Sequence, residues 1–219
     1  MAPREPDRPV RAVLFDLDGT LIDSYALIAS SFRHAARTVL ARDLADDEVT
    51  AHWGEPLPAR FAHLAPARVP ALVAAYTDYY DAHHDRLCVL FPGVVEMLAG
   101  LDGRAPIGVV TSKRRRSTAL ALRAFELERW VRVAVSAEDT PAPKPAPDPI
   151  VEAARRLGTP PRDALVVGDG VFDIQAARAA GARSAAAMWG TREGPALLAA
   201  GPDYVVATPA RVVPLVGAG

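Results

Sequence analysis

Residues 12–20 of the chain read AVLFDLDGT, a short apolar run that ends in a polar turn. The run from Ala12 to Phe15 contains β-branched and aromatic side chains, which favours a buried β-strand. It stops abruptly at Asp16, and Asp18-Gly19-Thr20 has the residue types of a turn. Ligands of parallel sheets bind beyond the carboxyl ends of the strands. The stretch therefore predicts a strand that delivers carboxylates to a ligand site.

Similar apolar runs recur further along the chain and alternate with helical patterns. We predict further strands at residues 107–110, 131–135, 164–167, 184–188 and 204–206. Between them, Gly93 precedes a short helix, Asp148 has the features of a helix N-cap before Pro149, and a helix from about Asp173 closes at Gly181. Alternating strands and helices imply right-handed crossovers and a parallel sheet covered on both faces. The fold class is therefore predicted as α/β, a Rossmann-like parallel sheet flanked by helices.

A long helical segment separates the first two predicted strands. From Ser24 to about His84 apolar residues recur at helical spacing, and no strand pattern interrupts them. We expect an inserted all-helical domain at residues 23–89 and an α/β core domain formed by residues 1–22 and 90–219. Hinges are expected near 21–24 and 87–92.

Composition excludes several broad classes of protein. The chain of 219 residues carries 25 basic and 26 acidic side chains, so it lacks the basic excess of a nucleic-acid-binding surface. The basic run Lys113–Arg116 is therefore interpreted as a solvated helix face. No apolar run approaches the roughly 20 residues of a membrane span, and the first 16 residues lack the apolar stretch of a secretory signal. With Cys88 as its single cysteine, the protein is expected to be cytoplasmic.

Polar residues that follow the predicted strands form one chemical set. The set consists of Asp16, Asp18, Thr111, Ser112, Lys144, Asp169 and Asp173. Four carboxylates at one sheet edge repel one another unless a hard cation neutralises them, and carboxylate and carbonyl oxygens suit Mg²⁺. A bound Mg²⁺ would make an anionic ligand acceptable, with Lys144 and the Thr111 hydroxyl completing its neutralisation. Phosphate fits this set best.

The same residues carry a family resemblance. Asp16-Leu17-Asp18-Gly19-Thr20, then Thr111, then Lys144-Pro145, then Gly168-Asp169 with Asp173 resemble, in order, the four motifs of the haloacid dehalogenase superfamily of phosphohydrolases. The resemblance spans about residues 10 to 206. The helical insertion looks like the C1 cap of that superfamily, and the overall spacing is similar to its phosphoglycolate phosphatase and pyrophosphatase branch.

The resemblance implies roles for the acidic residues. Asp16 would be the nucleophile that forms an aspartyl-phosphate. Asp18 would be the general acid and then the general base. Asp16, the Asp18 backbone carbonyl and Asp169 would bind Mg²⁺, which shields the charge of nucleophile and phosphate.

The remaining motif residues would hold the phosphoryl group. The resemblance makes Thr111 a hydrogen-bond donor to a phosphoryl oxygen and Lys144 the residue that neutralises charge. Asp173 would orient Lys144 or the waters of the metal, and Ser112 would add a supporting contact.

Substrate choice would fall to the inserted helical domain. Its turn at residues 53–57, WGEPL, with Arg60 one helical turn on, resembles the cap loop that reaches into the active site in related proteins. Glu55 and Arg60 are therefore candidate specificity residues. A hydrophobic staple with an exposed arginine explains the same residues equally well.

The leading hypothesis is a Mg²⁺-dependent phosphatase of a small soluble phosphomonoester, such as phosphoglycolate, or of pyrophosphate. A phosphomutase similar to the β-phosphoglucomutase branch, or a phospho-accepting module without catalysis, are the alternatives. The expected partner is a small phosphorylated substrate, without nucleic acid or membrane, and the protein is expected to be a monomer or homodimer.

Overall fold

The computed structural model describes residues 9–52 and 54–217. The strands are β1 (Ala12–Phe15), β2 (Ile22–Asp23), β3 (Val89–Leu90), β4 (Ile107–Val110), β5 (Val131–Val135), β6 (Ala164–Gly168), β7 (Arg183–Ala187) and β8 (Tyr204–Val206). The α-helices are α1 (Tyr25–Leu40), α2 (Asp46–Thr50), α3 (Leu57–Leu64), α4 (Val69–Leu87), α5 (Val94–Leu101), α6 (Arg115–Ala124), α7 (Asp148–Arg156), α8 (Val171–Ala180) and α9 (Gly194–Ala199). Short 3₁₀ turns lie at Pro66–Arg68, Leu127–Arg129, Pro161–Asp163, Pro209–Arg211 and Val213–Leu215.

Six of the strands form one parallel sheet in the order β5-β4-β1-β6-β7-β8. Strand β1 lies at its centre, with Phe15 opposite Val109 of β4 and Val167 of β6. Helices flank this sheet, so the predicted fold class is confirmed. The bounds of β1, β4, β5 and β8 match the prediction, whereas β6 is one residue longer and β7 begins and ends one residue earlier.

The apolar strands bury both of their faces. Val13 and Phe15 pack into a cluster that contains Met97 of α5, whereas Leu14 joins Ile150 of α7 on the opposite face. Every residue of β1, β4 and β6 is buried. These strands lack the polar alternation of a half-exposed sheet because helices cover both sides.

Two local predictions need correction, and one small element was missed. Asp148 is the first residue of α7 and Pro147 is its N-cap, and α8 begins at Val171, two residues before Asp173. The two-stranded antiparallel ribbon of β2 and β3, with Ile22 opposite Leu90, was not predicted. Each of these strands has two residues, too few for a periodic pattern. The ribbon lies within the two connections between the core and the helical segment, residues 21–24 and 87–92, in which hinges are expected.

Helices α1 to α4 have a hydrophobic cluster of their own. Phe32 of α1 stacks on Phe61 of α3 at a ring-centroid distance of 4.5 Å, and Leu72 of α4 is fully buried beside them. No strand lies between β2 and β3 in the part of the chain that the structure describes. The domain boundaries at residues 23 and 89 stay a prediction.

None of the described helices is both long and apolar enough to cross a membrane. Residues 1–8 lie outside the described residues, so half of the 16-residue segment to which the prediction on a secretory signal refers is not described, and that prediction stays untested.

Candidate active site

The ends of the central strands bring three motifs to the same edge of the sheet. The backbone N–H of Asp16, directly after β1, donates to the Val167 carbonyl at 2.9 Å. The N–H of Thr111, directly after β4, donates to the Val135 carbonyl at 2.9 Å. Asp169 directly follows β6. Because the strands are parallel, these residues meet at the carboxyl edge, where open α/β sheets bind ligands.

Lys144 connects the third motif to the other motifs. Its ammonium donates to Asp16 Oδ1 at 2.9 Å, Asp173 Oδ1 at 2.6 Å and the Val110 carbonyl at 3.1 Å. The side chain is 6% exposed. Burial lowers the pKa of Lys144, but the charges of Asp16 and Asp173 outweigh this and raise it above its ordinary value. Lys144 is therefore a fixed positive charge against the first carboxylate.

Asp16 and Asp169 are carboxylates with unfavourable surroundings. Burial raises the pKa of Asp16 from 3.8 to about 7; Lys144 opposes this rise, while the charges of Asp173 and Asp18 add to it. Burial also raises the pKa of Asp169 well above its ordinary value, and the charges of Asp16 and Asp173 raise it further. Without a cation, the folded protein disfavours ionisation of both groups.

Two glycines leave room for these carboxylates. Gly19 has a φ of +85°, and a Cβ atom there would lie 2.1 Å from Asp169 Oδ2. A Cβ atom on Gly168 would lie 2.3 Å from Asp173 Cγ. Thr20 completes the contact between the first and last motifs, because its hydroxyl donates to Asp169 Oδ1 at 2.9 Å. A side chain at either glycine would displace a carboxylate.

Asp173 is held from two sides. The side chain, 5% exposed, accepts from Lys144 through Oδ1 and from the N–H of Gly170 through Oδ2 at 3.1 Å. Asp173 therefore fixes Lys144 and the first turn of α8 relative to each other.

Asp18 has a partner that was not predicted from the sequence. Lys113 Nζ donates to Asp18 Oδ1 at 2.7 Å, and the Ser24 hydroxyl donates to the same oxygen. The ammonium of Lys113 also lies 4.7 Å from the ring centroid of Tyr80 on α4. The interpretation of Lys113 as part of a solvated face is wrong, because its side chain is 7% exposed. The available signal was its position two residues after Thr111, at the same strand end.

A cavity of about 560 Å³ lies above this edge and reaches the helical segment. Every site residue predicted from the sequence lines it, namely Asp16, Asp18, Glu55, Arg60, Thr111, Ser112, Lys144, Asp169 and Asp173. Further basic side chains also line the cavity, namely Lys113, Arg114 and Arg192. An anionic ligand would meet positive charge on several sides.

The two predicted specificity residues also have partners within the protein. Arg60 is 6% exposed, donates to the Val49 carbonyl at 2.5 Å and lies 4.6 Å from the Phe32 ring centroid. Glu55 bonds to His52 and His63 at 3.1 and 3.0 Å. Trp53, in the same turn, lies outside the described residues.

The donor set at the strand ends fits a divalent cation. Carboxylate oxygens of Asp16, Asp169 and Asp173 lie within 4.8 Å of one another. With Asp18, four carboxylates face the two ammonium groups of Lys144 and Lys113, an excess of two negative charges when all are ionised. An all-oxygen donor set with this excess suits Mg²⁺.

Comparisons with known proteins show which proteins this chain is similar to. Residues 13–187 match the sequence model of the haloacid dehalogenase-like hydrolases. The chain is 39% identical over 198 residues to a PpaX protein of Caldanaerobacter subterraneus, with 90% of each chain covered. It is 33% identical over 208 residues to pyrophosphatase PpaX of Bacillus cereus, with 94% of this chain and 96% of the relative covered.

Solved structures show the same architecture. A phosphoglycolate phosphatase-like protein of Lactobacillus plantarum superposes with a TM-score of 0.86 at 27% identity, covering 94% of this chain and 99% of the other. A haloacid dehalogenase-like hydrolase of Streptococcus pneumoniae superposes with a TM-score of 0.84 at 28% identity, covering 94% and 97%.

Proposed function

We infer the activity from one premise: this chain belongs to the haloacid dehalogenase-like hydrolase family and is a phosphohydrolase. We propose that it is a Mg²⁺-dependent phosphatase that hydrolyses pyrophosphate or a small phosphomonoester through an aspartyl-phosphate. The observation that supports this most directly is the buried ammonium of Lys144, which joins Asp16 and Asp173 at 2.9 and 2.6 Å.

In the proposed first step, an oxygen of the Asp16 carboxylate attacks phosphorus and the bond to the leaving-group oxygen breaks. Asp18 gives its proton to that oxygen as it leaves. Lys144 stabilises the charge that develops between nucleophile and phosphoryl group, and the Thr111 hydroxyl donates to a phosphoryl oxygen. Ser112, which also lines the cavity, adds a supporting contact.

In the proposed second step, Asp18 takes a proton from a water molecule as the water attacks the aspartyl-phosphate. Phosphate leaves, and Asp16 is regenerated as a carboxylate. Lys113 and Ser24 hold the Asp18 carboxyl through Oδ1, so its other oxygen remains for proton transfer.

Asp16, the Asp18 backbone carbonyl and Asp169 are the residues that would hold Mg²⁺. When bound, Mg²⁺ supplies charge neutralisation that lets an anionic carboxylate approach an anionic phosphate. Asp173 keeps Lys144 in position beside this set. The raised pKa values of Asp16 and Asp169 support the assignment, because a cation would favour the ionised forms.

Residues 23–89 would act as a cap that closes on the substrate. The cap contributes Glu55 and Arg60 to the cavity wall, while the core contributes basic side chains that suit a strongly anionic leaving group. Two relatives carry the PpaX name, and one of them is a pyrophosphatase, so pyrophosphate is the first substrate to test. Phosphoglycolate is the second, because its leaving group carries a carboxylate.

The test is phosphate release from pyrophosphate, phosphoglycolate and a panel of other phosphomonoesters, with Mg²⁺ or with EDTA. The wild-type protein is compared with Asp16→Asn and with Asp78→Asn, which changes an exposed carboxylate on α4. We expect Mg²⁺-dependent release with a preferred substrate, lost in Asp16→Asn and retained in Asp78→Asn. Isomerised sugar phosphate without free phosphate would indicate a mutase, and full activity of Asp16→Asn would exclude the proposed nucleophile.

A further inference from the structure

A second group of potential metal ligands lies on the helical segment, away from the catalytic carboxylates. His52 and Glu55 belong to the turn before α3, and His63 lies near the C-terminal end of α3. Their potential ligand atoms all lie within 4.8 Å of one another. These three residues are called the His-Glu-His cluster below. Neither histidine is a site residue predicted from the sequence.

The contacts within the cluster converge on one carboxylate. His52 Nδ1 lies 3.1 Å from Glu55 Oε1, and His63 Nε2 lies 3.0 Å from Glu55 Oε2. The two imidazole rings stack at a centroid distance of 3.7 Å with an interplanar angle of 9°. Both rings therefore present a nitrogen atom to the same carboxylate.

We propose that the His-Glu-His cluster binds a borderline-soft divalent transition-metal ion, with Zn²⁺ as the representative. Zn²⁺ forms bonds of about 2.0–2.2 Å to histidine nitrogen and carboxylate oxygen, and in tetrahedral coordination two of its ligand atoms then lie roughly 3.3–3.6 Å apart. The nitrogen–oxygen distances in the cluster are 3.1 and 3.0 Å. An imidazole nitrogen binds a metal ion in the plane of its ring, so His52 and His63 would rotate out of their parallel stack to place an ion between atoms that now share hydrogen bonds.

The donor types separate this site from the catalytic one. Two imidazole nitrogens with one carboxylate suit Zn²⁺, whereas an oxygen-only set suits Mg²⁺. The side chains of His52, Glu55 and His63 are 44%, 26% and 49% exposed, so water can complete the coordination. Metal binding requires neutral imidazoles and an ionised carboxylate, so affinity falls in acid.

The site adjoins the catalytic cavity. Glu55 lines that cavity, and a Cβ atom on the neighbouring Gly54 would lie 3.4 Å from the Phe172 ring at the start of α8. An ion held by His52, Glu55 and His63 would thus fix the turn of the helical segment that faces the core.

Histidine NMR can test this proposal without a substrate. The chain has five histidines, at positions 34, 52, 63, 83 and 84, and none is among the described residues that line the catalytic cavity. Untagged full-length protein in excess Mg²⁺ is titrated with Zn²⁺ while the imidazole ¹H–¹⁵N signals are recorded. His52→Gln, His63→Gln and His34→Gln assign the signals, and the last variant is the matched exposed control.

We expect the signals of His52 and His63 alone to change and to saturate at one equivalent of Zn²⁺. Glu55→Gln should weaken binding by at least about tenfold, and His34→Gln should bind like the wild type. The unchanged signals of the other histidines report that each variant is folded. Unmoved His52 and His63 signals, or equal shifts of all exposed histidines at many equivalents, would overturn the proposal. Zn²⁺ in the carboxylate site alone would also leave both signals unmoved.

Discussion

Replacing the proposed nucleophile should stabilise the metal-free protein while it abolishes activity. Burial raises the pKa of Asp16 from 3.8 to about 7, so between these values the folded protein binds more protons than the unfolded chain. The free energy of unfolding therefore falls as pH rises through this window, and above pH 7 the accumulated cost is about 4 kcal/mol. Asn at this position is uncharged at every pH and avoids that cost.

The expected size of the effect follows from the same values. Between pH 5 and pH 8.5 the cost of ionising Asp16 grows by about 3 kcal/mol. The free energy of unfolding of Asp16→Asn, relative to wild type, should increase by about that amount over this range. The substitution also reduces the cost of ionising Asp169, because the charge of Asp16 raises the pKa of Asp169. This second effect likewise increases the free energy of unfolding of Asp16→Asn relative to wild type.

Urea denaturation in EDTA at pH 5, 7 and 8.5 measures this difference. Asp78→Asn serves as the control, since it removes an exposed carboxylate and should track the wild type. Saturating Mg²⁺ at pH 8.5 should then stabilise the wild type, by about 2.7 kcal/mol at a hundredfold excess over Kd, and Asp16→Asn much less. Parallel stability curves for wild type and Asp16→Asn from pH 5 to 8.5 would refute the argument that Asp16 is electrostatically strained.

Three further outcomes are expected. Gly19→Ala should lower the Mg²⁺ affinity measured by calorimetry, because the added Cβ atom would lie 2.1 Å from Asp169 Oδ2. Gly103→Ala is the control, because Gly103 has a similar φ of +77° but open space around it. This control should lower the free energy of unfolding, measured by urea denaturation, only by the backbone cost of about 1–3 kcal/mol. Lys113→Met should lower kcat at least about tenfold in steady-state assays, because the Asp18 carboxylate loses its buried ammonium partner. An unchanged kcat would contradict this prediction. Cys88 is 2% exposed and burial raises its pKa to about 12, so iodoacetamide at pH 8 should label it only after unfolding, and rapid labelling of the native protein would contradict its burial.

The sequence predicts the central strands well for a physical reason. Strands buried on both faces are contiguous apolar runs, and Ala12–Phe15 and Ile107–Val110 have the predicted bounds. The ribbon of Ile22–Asp23 and Val89–Leu90 has no such signal, since its pairing depends on how the chain returns from the inserted helices. Local composition carries no information about that return.

The same distinction separates the predicted site residues from the missed one. Asp16 and Asp169 could be selected because a residue that follows a parallel strand must lie at the carboxyl edge. Lys113 stands in a basic run, and a basic run has the composition of an exposed helix face. Its position two residues after Thr111 is a weak signal, and the contacts of its ammonium with Asp18 and with the Tyr80 ring from α4 are what clearly distinguish it from the exposed arginines that follow.

The proposed catalytic edge is a site that the rest of the fold must stabilise. The ionised carboxylates of Asp16 and Asp169 are unfavourable in the metal-free protein, yet they directly follow fully buried strands at the centre of the sheet. Lys144 relieves part of the repulsion, and its bond to the Val110 carbonyl fixes it to β4. The remaining negative charge attracts a divalent cation, because an ion binds most strongly where the fold already holds unbalanced carboxylates together. A variant that neutralises one carboxylate therefore exchanges cation affinity for stability, and the two measurements should change in opposite directions.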